Sequence, residues 1–298
     1  MPNSTHIDLR FTGDFSLAAS VSLAASASFV EDLRGGQDGE AGVLDLAFPL
    51  EGSWSTVGVR VDQHNSRVRA SVRANPDGAT TDDIRAQLER ILSLDVDGAG
   101  FADVAARDDV VAGLRLRHPG LRPVLFPSPY EAAARAIIGH QLPVRQAAAI
   151  TARIAEEHGV RVDVGDHVMH AFPAPDRLAG LSSVRGLAAR KIEQLRALGG
   201  AADGWLGSAR LRAMDREEAL SHLQQLSGIG PFSAELVLLR GAGDPDAFPR
   251  HEKRLHRAMA TAYHLGDEPD LDALERVADR WRPYRSWIGL LLRNSISQ

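Results

Sequence analysis

Residues 226–240 read Leu-Ser-Gly-Ile-Gly-Pro-Phe-Ser-Ala-Glu-Leu-Val-Leu-Leu-Arg, and they hold the chain's clearest means of binding an anion. A helix end, a tight Gly228-Ile229-Gly230 turn and a second helix starting near Pro231 would leave consecutive backbone N–H groups pointing outward. A helix N-terminus of that kind binds phosphate through those donors and through its dipole. The same glycines would also serve a tight interhelical turn with no ligand, and the two readings are compatible. A second segment, Phe248-Pro249-Arg250-His251-Glu252-Lys253-Arg254-Leu255-His256-Arg257, sets one carboxylate among cations. Arg250, His251, Lys253 and Arg254 favour the ionised form of Glu252 wherever they approach it in space. A glutamate in the first turn of a helix beginning near Pro249 is equally explained by the helix dipole alone.

The elements that must position these residues change in character along the chain. Ile7, Leu9 and Phe11 alternate with polar residues, as do Val57, Val59 and Val61, then Val68, Ala70 and Val72, which predicts strands. Residues 63–66 (Gln-His-Asn-Ser) read as a hairpin turn and 75–78 (Asn-Pro-Asp-Gly) as another turn. Thr80-Thr81-Asp82-Asp83 caps a helix whose apolar positions are Ile84, Leu88, Ile91 and Leu92. Past about residue 112, His118-Pro119-Gly120 and Phe126-Pro127-Ser128-Pro129 punctuate a linker and the strand patterns stop. Helices are expected near 129–139, 143–158, 175–180, 186–199, 216–225, 231–240, 250–264, 270–280 and 284–293. The fold class is therefore α+β: an N-terminal unit over 1–112 with an antiparallel sheet and packed helices, then an all-α unit over 113–298.

At 298 residues, with 44% hydrophobic and 24% charged positions, the chain can bury a sizeable core and divide into about two domains. The net charge of −5 does not advertise a polyanionic partner, but phosphate binding needs only one basic face. Basic residues do cluster late, at Arg250, Lys253, Arg254 and Arg257 and again at Arg276, Arg280, Arg282 and Arg285. A solvated helix face would look the same. The absence of cysteine excludes disulfides, thiolate-held metal or iron–sulfur centres and cysteine nucleophiles. Residues 15–30 mimic a signal-peptide apolar region, but Asp8 and Asp14 precede them and a basic n-region is missing. A buried Ala-rich helix and a cytoplasmic protein are expected, and no apolar run is long enough for a membrane span.

Four segments together resemble the helix-hairpin-helix DNA glycosylase superfamily, specifically the bacterial 3-methyladenine DNA glycosylase II family. They are Pro129-Tyr130-Glu131 through Arg135-Ala136-Ile137-Ile138-Gly139-His140-Gln141-Leu142, the hairpin at 226–235, Asp246-Ala247-Phe248-Pro249 leading to Leu255-His256-Arg257-Ala258, and Arg280-Trp281-Arg282-Pro283-Tyr284-Arg285-Ser286. They occur in the family's order; the resemblance is weak over 1–112 and clear over 113–298.

The resemblance implies a monofunctional DNA N-glycosylase of base excision repair, acting as a monomer on double-stranded DNA with damaged bases. Gly228, Gly230 and Ser233 would contact DNA phosphate, and Gln141 would be the wedge that fills the gap left by an extruded base. An ordinary polar loop residue is the alternative for Gln141. Phe232, Leu236 and Arg293 would line the base pocket; the last two stand where the best-known member carries aromatics, so this pocket is less aromatic. Phe232 also occupies the place of the lysine nucleophile of glycosylase/lyases, which excludes Schiff-base chemistry. Glu252 falls on the family's catalytic aspartate, which stabilises the oxocarbenium-like sugar and positions water. Its extra methylene displaces the carboxylate by about 1 Å, a shift that can cost on the order of 10²-fold in rate. No cofactor is implied, beyond a monovalent cation (Na⁺ or K⁺) on the backbone carbonyls of Gln224, Leu226 and Ile229. The expected substrates are alkylated purines of the 3-methyladenine and 7-methylguanine type. The alternative is a catalytically impaired lesion-binding protein of the same fold.

Overall fold

In the computed structural model, residues 5–26, 34–35 and 42–295 are described. The N-terminal part comprises strand β1 (Thr5–Leu9), helix α1 (Leu17–Ser26), strands β2 (Arg34–Gly35), β3 (Val43–Pro49), β4 (Thr56–His64) and β5 (Arg67–Ala74), and helix α2 (Thr81–Ile91). The strands form one antiparallel sheet in the order β1-β5-β4-β3-β2. The period-two patterns form strands where the alternation predicts them, with Val57, Val59, Val61, Val68 and Ala70 buried. Thr80 caps α2 by accepting from the Asp83 N–H, and Ile84, Leu88 and Ile91 are buried against the sheet. Strand β3 was not anticipated, although Leu44, Leu46 and Phe48 alternate with Asp45 and Ala47. The Ala-rich helix forms over 17–26, and positions 27–30 of that expectation lie outside the described residues.

Two short helices follow, α3 (Phe101–Ala106) and α4 (Asp109–Arg117). Next come α5 (Pro129–Gly139), α6 (Val144–His158), a hairpin of β6 (Arg161–Val164) and β7 (His167–His170), α7 (Pro175–Ala179), α8 (Ala189–Ala201), α9 (Ser208–Ala213), α10 (Arg216–Leu223) and α11 (Pro231–Leu236). The last helices are α12 (Lys253–Tyr263), α13 (Leu271–Asp279) and α14 (Arg285–Ser295). The β6–β7 hairpin corrects the expectation that strands end near residue 112. Val162 and Val164 alternate up to the Gly165-Asp166 turn and bury their side chains against the first sheet, close to Gly58.

Three apolar cores result. One lies under the five-stranded sheet. A second gathers side chains between Phe126 and Ala242, and the third joins Val104–Leu121 to residues of the C-terminal helices from Phe248 to Leu292. The expected linker is a buried strap among the three. Arg122, 1% exposed, donates to the carbonyls of Ser93 and Val96 at 3.0 Å, of Asp14 at 3.1 Å, and of Thr12. Leu125 N–H bonds to the Ile91 carbonyl at 2.7 Å, and Phe126 N–H to the Arg240 carbonyl at 2.8 Å. The second and third cores face each other across a cleft that this strap closes on one side.

Candidate active site and nucleic-acid interface

The hairpin turn is built by two glycines under different constraints. Gly228 has φ +92°, and a Cβ there would sit 2.8 Å from the Gln194 side chain, so both conformation and packing demand glycine. Gly230 is extended (φ −92°, ψ −176°), and a Cβ on it would meet nothing within 4 Å. Any L-residue could adopt that backbone, so its bareness leaves room for a close approach at the start of α11. Ile229 is buried and its N–H bonds to the Leu226 carbonyl at 3.0 Å, which leaves that oxygen a second lone pair. Gln224 is the C-cap of α10, and Leu226 and Ile229 lie in the turn that follows it. Among the described residues no cluster of three or more His, Asp or Glu is placed to hold a metal ion.

Helix α11 does not run to residue 240 as predicted. From Val237 to Ala242 it widens into a π turn, and the Gly243 N–H reaches back five residues to the Leu238 carbonyl at 3.1 Å. Such wide turns re-aim side chains. Here Leu236, Leu239, Arg240 and Gly243 all line the cleft.

The expected base-pocket and catalytic residues come together. Phe232, Leu236, Glu252 and Arg293 line one cleft of about 740 Å³, open mouth included, with Leu125, Leu255, Trp287 and Leu290 adding apolar wall. Phe232 is 44% exposed, unusual for a large aromatic, and its ring also lines a neighbouring groove. Trp281 and Tyr284 are buried core residues, whereas Trp287 reaches the cleft.

Glu252 sits at the N-cap of α12 rather than inside its first turn, because the helix begins at Lys253 and not near Pro249. One carboxylate oxygen accepts from the Arg254 N–H at 3.1 Å, and the other lies 3.6 Å from Nε of Arg293. Burial holds the Arg293 guanidinium below the usual arginine range; Glu252 opposes that shift and Arg254 adds to it. Arg240, deeper in the wall, is lowered to about 10 by burial and then by Arg293, so it stays cationic near neutral pH. Its Nη2 donates to the Val124 carbonyl at 2.8 Å. Asp244 also lines the cleft, while Asp246 is tied to Arg282 and Arg285 at 2.8 and 3.0 Å.

Gln141 lies in the groove beside the cleft, with His140, Val144, Phe232 and Ser233. It is exposed and held at φ +58°, a left-handed conformation that a non-glycine residue adopts at a cost. Lys191 secures the turn: its ammonium donates to the carbonyls of Ile138 at 2.8 Å and His140 at 2.5 Å. The late basic cluster divides. Arg250 pairs with Glu275, and Arg280, Arg282 and Arg285 pair with aspartates, whereas Lys253, Arg254 and Arg257 lie exposed on α12.

Three contributors went unread in the sequence. Glu235 lines the cleft and binds the segment before Glu252, Arg240 carries a buried charge into its wall, and Lys191 ties down the Gln141 turn. A helical Glu, Arg or Lys carries no local mark of such contacts, which join residues 15 to 116 positions apart. No helix among the described residues is long and apolar enough to cross a membrane.

No family model matches the chain. The probable bifunctional transcriptional activator/DNA repair enzyme AlkA of Mycobacterium tuberculosis is 31% identical over 204 residues, which cover 68% of this chain and 40% of that protein. DNA-3-methyladenine glycosylase 2 of Escherichia coli is 31% identical over 197 residues, covering 62% of this chain and 65% of its own length. The chain therefore spans between two fifths and two thirds of these relatives. The solved structure of a 3-methyladenine DNA glycosylase from Archaeoglobus fulgidus superposes with a TM-score of 0.76 at 25% identity, covering 97% of this chain and 96% of that one. A fold shared from end to end, joined to these sequence matches, means that the chain belongs to the helix-hairpin-helix DNA glycosylase superfamily, in the family of the bacterial 3-methyladenine DNA glycosylases II.

Proposed function

We propose that this chain is a monofunctional DNA N-glycosylase of base excision repair that removes alkylated purines of the 3-methyladenine and 7-methylguanine type. The observation that carries the reading is that Phe232 and Glu252, on separate helices, line the same cleft beside a phosphate-ready hairpin. Gly228, Gly230 and Ser233 bind backbone phosphate of double-stranded DNA, and Gln141 enters the space vacated by the extruded nucleotide. The base then stacks against Phe232 with Leu236 and Arg293 beside it.

An N-alkylated purine already carries positive charge, so it leaves as a neutral base with the electrons of the C1′–N bond and needs no general acid. The positive charge passes to the sugar as an oxocarbenium-like centre. The Glu252 carboxylate stabilises that centre and orients a water whose oxygen bonds to C1′ while its proton is released, leaving an abasic site. With Phe232 in place of an amine, no Schiff base forms and the strand is not cut. The carbonyls of Gln224, Leu226 and Ile229 would hold Na⁺ or K⁺ at the hairpin, where the ion adds positive charge for phosphate. We further infer a monomeric, cytoplasmic protein in which the unit over 1–112 braces the helical unit over 113–298.

Release of 3-methyladenine or 7-methylguanine from methylated duplex DNA tests the reading, and no release from either lesion overturns it.

A further inference from the structure

Glu235 lies on α11, three residues after Phe232, and is 4% exposed. A carboxylate so buried needs donors, and it has three, all from the segment that leads to Glu252. The Arg250 N–H donates to Oε1 and the His251 N–H to Oε2, both at 3.0 Å, and Nδ1 of His251 sits 2.8 Å from Oε1. The segment has no helical bonds of its own there, because α12 begins at Lys253. Its two amides would otherwise be solvated and free to change direction, and with them the N-cap that aims Glu252 into the cleft.

We propose that Glu235 is a positioning residue for Glu252: its bidentate grip on Arg250 and His251 locks the carboxylate-bearing turn to the helix that carries Phe232. This rests on the reading of Glu252 as the catalytic carboxylate. Both oxygens of Glu235 are engaged by the Arg250–His251 segment, so it acts by fixing the distance between the aromatic face and the charge. The grip needs two acceptor oxygens. Glutamine offers one and turns an N–H donor toward the other amide, so Glu235→Gln breaks half of it with little change of volume.

The test is a mutant cycle with an exchange measurement on the full chain. Glu235→Gln should speed amide hydrogen exchange at 250–252 at least about tenfold while residues 226–230 keep their rates. Single-turnover base release should fall about 10- to 100-fold with affinity for abasic-site DNA within about twofold of wild type, the range expected for an ångström-scale misplacement. The Glu235→Gln/Glu252→Gln pair should be no slower than Glu252→Gln alone, since the first change acts only through the second residue. Glu235→Asp, which keeps the charge and withdraws the oxygens, should show the same pattern and serves if Glu235→Gln does not fold. Unchanged exchange at 250–252, or losses that multiply in the double variant, would overturn the proposal. A wild-type protein that releases no base sinks the glycosylase reading instead, and the exchange arm still decides whether Glu235 holds the turn.

Discussion

Nε of Arg293 lies 3.6 Å from a carboxylate oxygen of Glu252 and joins α14 to the N-cap of α12 across the cleft wall. Both side chains are largely buried, so solvent screens the pair less than it would at the surface. The cleft therefore offers a compensated carboxylate, and a cationic base entering it meets both charges. Near a protein surface, unit charges about 4 Å apart interact by roughly 4 kcal/mol, so removing one of them should be measurable. Arg293→Leu should raise the excision rate for 7-methylguanine relative to a neutral lesion such as hypoxanthine by at least about fivefold, a shift of roughly 1 kcal/mol. Parallel single-turnover assays on the two lesions measure it, and an unchanged ratio would mean that Arg293 plays no part in selection.

The two hairpin glycines should separate stability from binding. Gly228→Ala places a Cβ in the left-handed region against Gln194 and should cost about 1–2 kcal/mol of stability, seen as a lower Tm. Gly230→Ala enters open space with an ordinary backbone, so stability should stay within about 0.5 kcal/mol. Binding to duplex DNA should nevertheless weaken about tenfold, because the methyl stands where a phosphate would approach. Equal DNA affinity in Gly230→Ala would remove the hairpin from the interface.

Gln141 gives a third expectation. Extruding a base costs a few kcal/mol of stacking and pairing, and a wedge offsets part of that. Gln141→Ala should slow excision from a paired duplex about tenfold or more and leave excision of the same lesion in single-stranded DNA within about threefold, since nothing needs to be displaced there. Gln141→Gly would separately relieve the strain at φ +58° and should raise Tm slightly without restoring excision.

Lys191 anchors the same turn, and its ammonium is held below the usual lysine range by burial. Lys191→Met keeps the apolar stem but leaves the Ile138 and His140 carbonyls without their donor. The expected outcome is a loss of about 1–2 kcal/mol of stability together with a Gln141→Ala-like excision defect. Thermal unfolding and the duplex assay check the two halves, and a stability loss without the defect would confine Lys191 to scaffolding.

Much of this arrangement was legible in the residues, and the illegible part has identifiable causes. β4, β5 and α2 follow from period-two and period-3.6 patterns and from Thr80 as a cap, because each sets its apolar side chains on one face toward the core. β3 carries a readable alternation as well, with Asp45 on its polar side, while β6 and β7 have only four residues each around a Gly165-Asp166 turn. The π turn over Val237–Ala242 could not be read, since no residue spacing distinguishes a five-residue from a four-residue bond in an apolar run. The helix start at Lys253 was missed for a tertiary reason: Glu235, distant in sequence, grips the Arg250 and His251 amides and holds the segment as a turn outside the helix. Phe232, Leu236, Glu252 and Arg293 were named from their places in motifs, and the fold sets them around one cleft. The charges between them, above all Glu235 and Arg240, emerge only when the helices pack.

The central claim is that Glu252 performs the chemistry in this cleft. The most direct measurement is single-turnover release of 7-methylguanine from methylated duplex DNA by wild type and Glu252→Gln, with affinity for an abasic-site analogue measured on both. Wild type is predicted to release the base and leave an intact strand. Glu252→Gln should be slower by at least about 10²-fold, as for loss of a key charge-stabilising group, at unchanged affinity. Equal release by the two proteins, or none by wild type despite tight binding, would contradict the account.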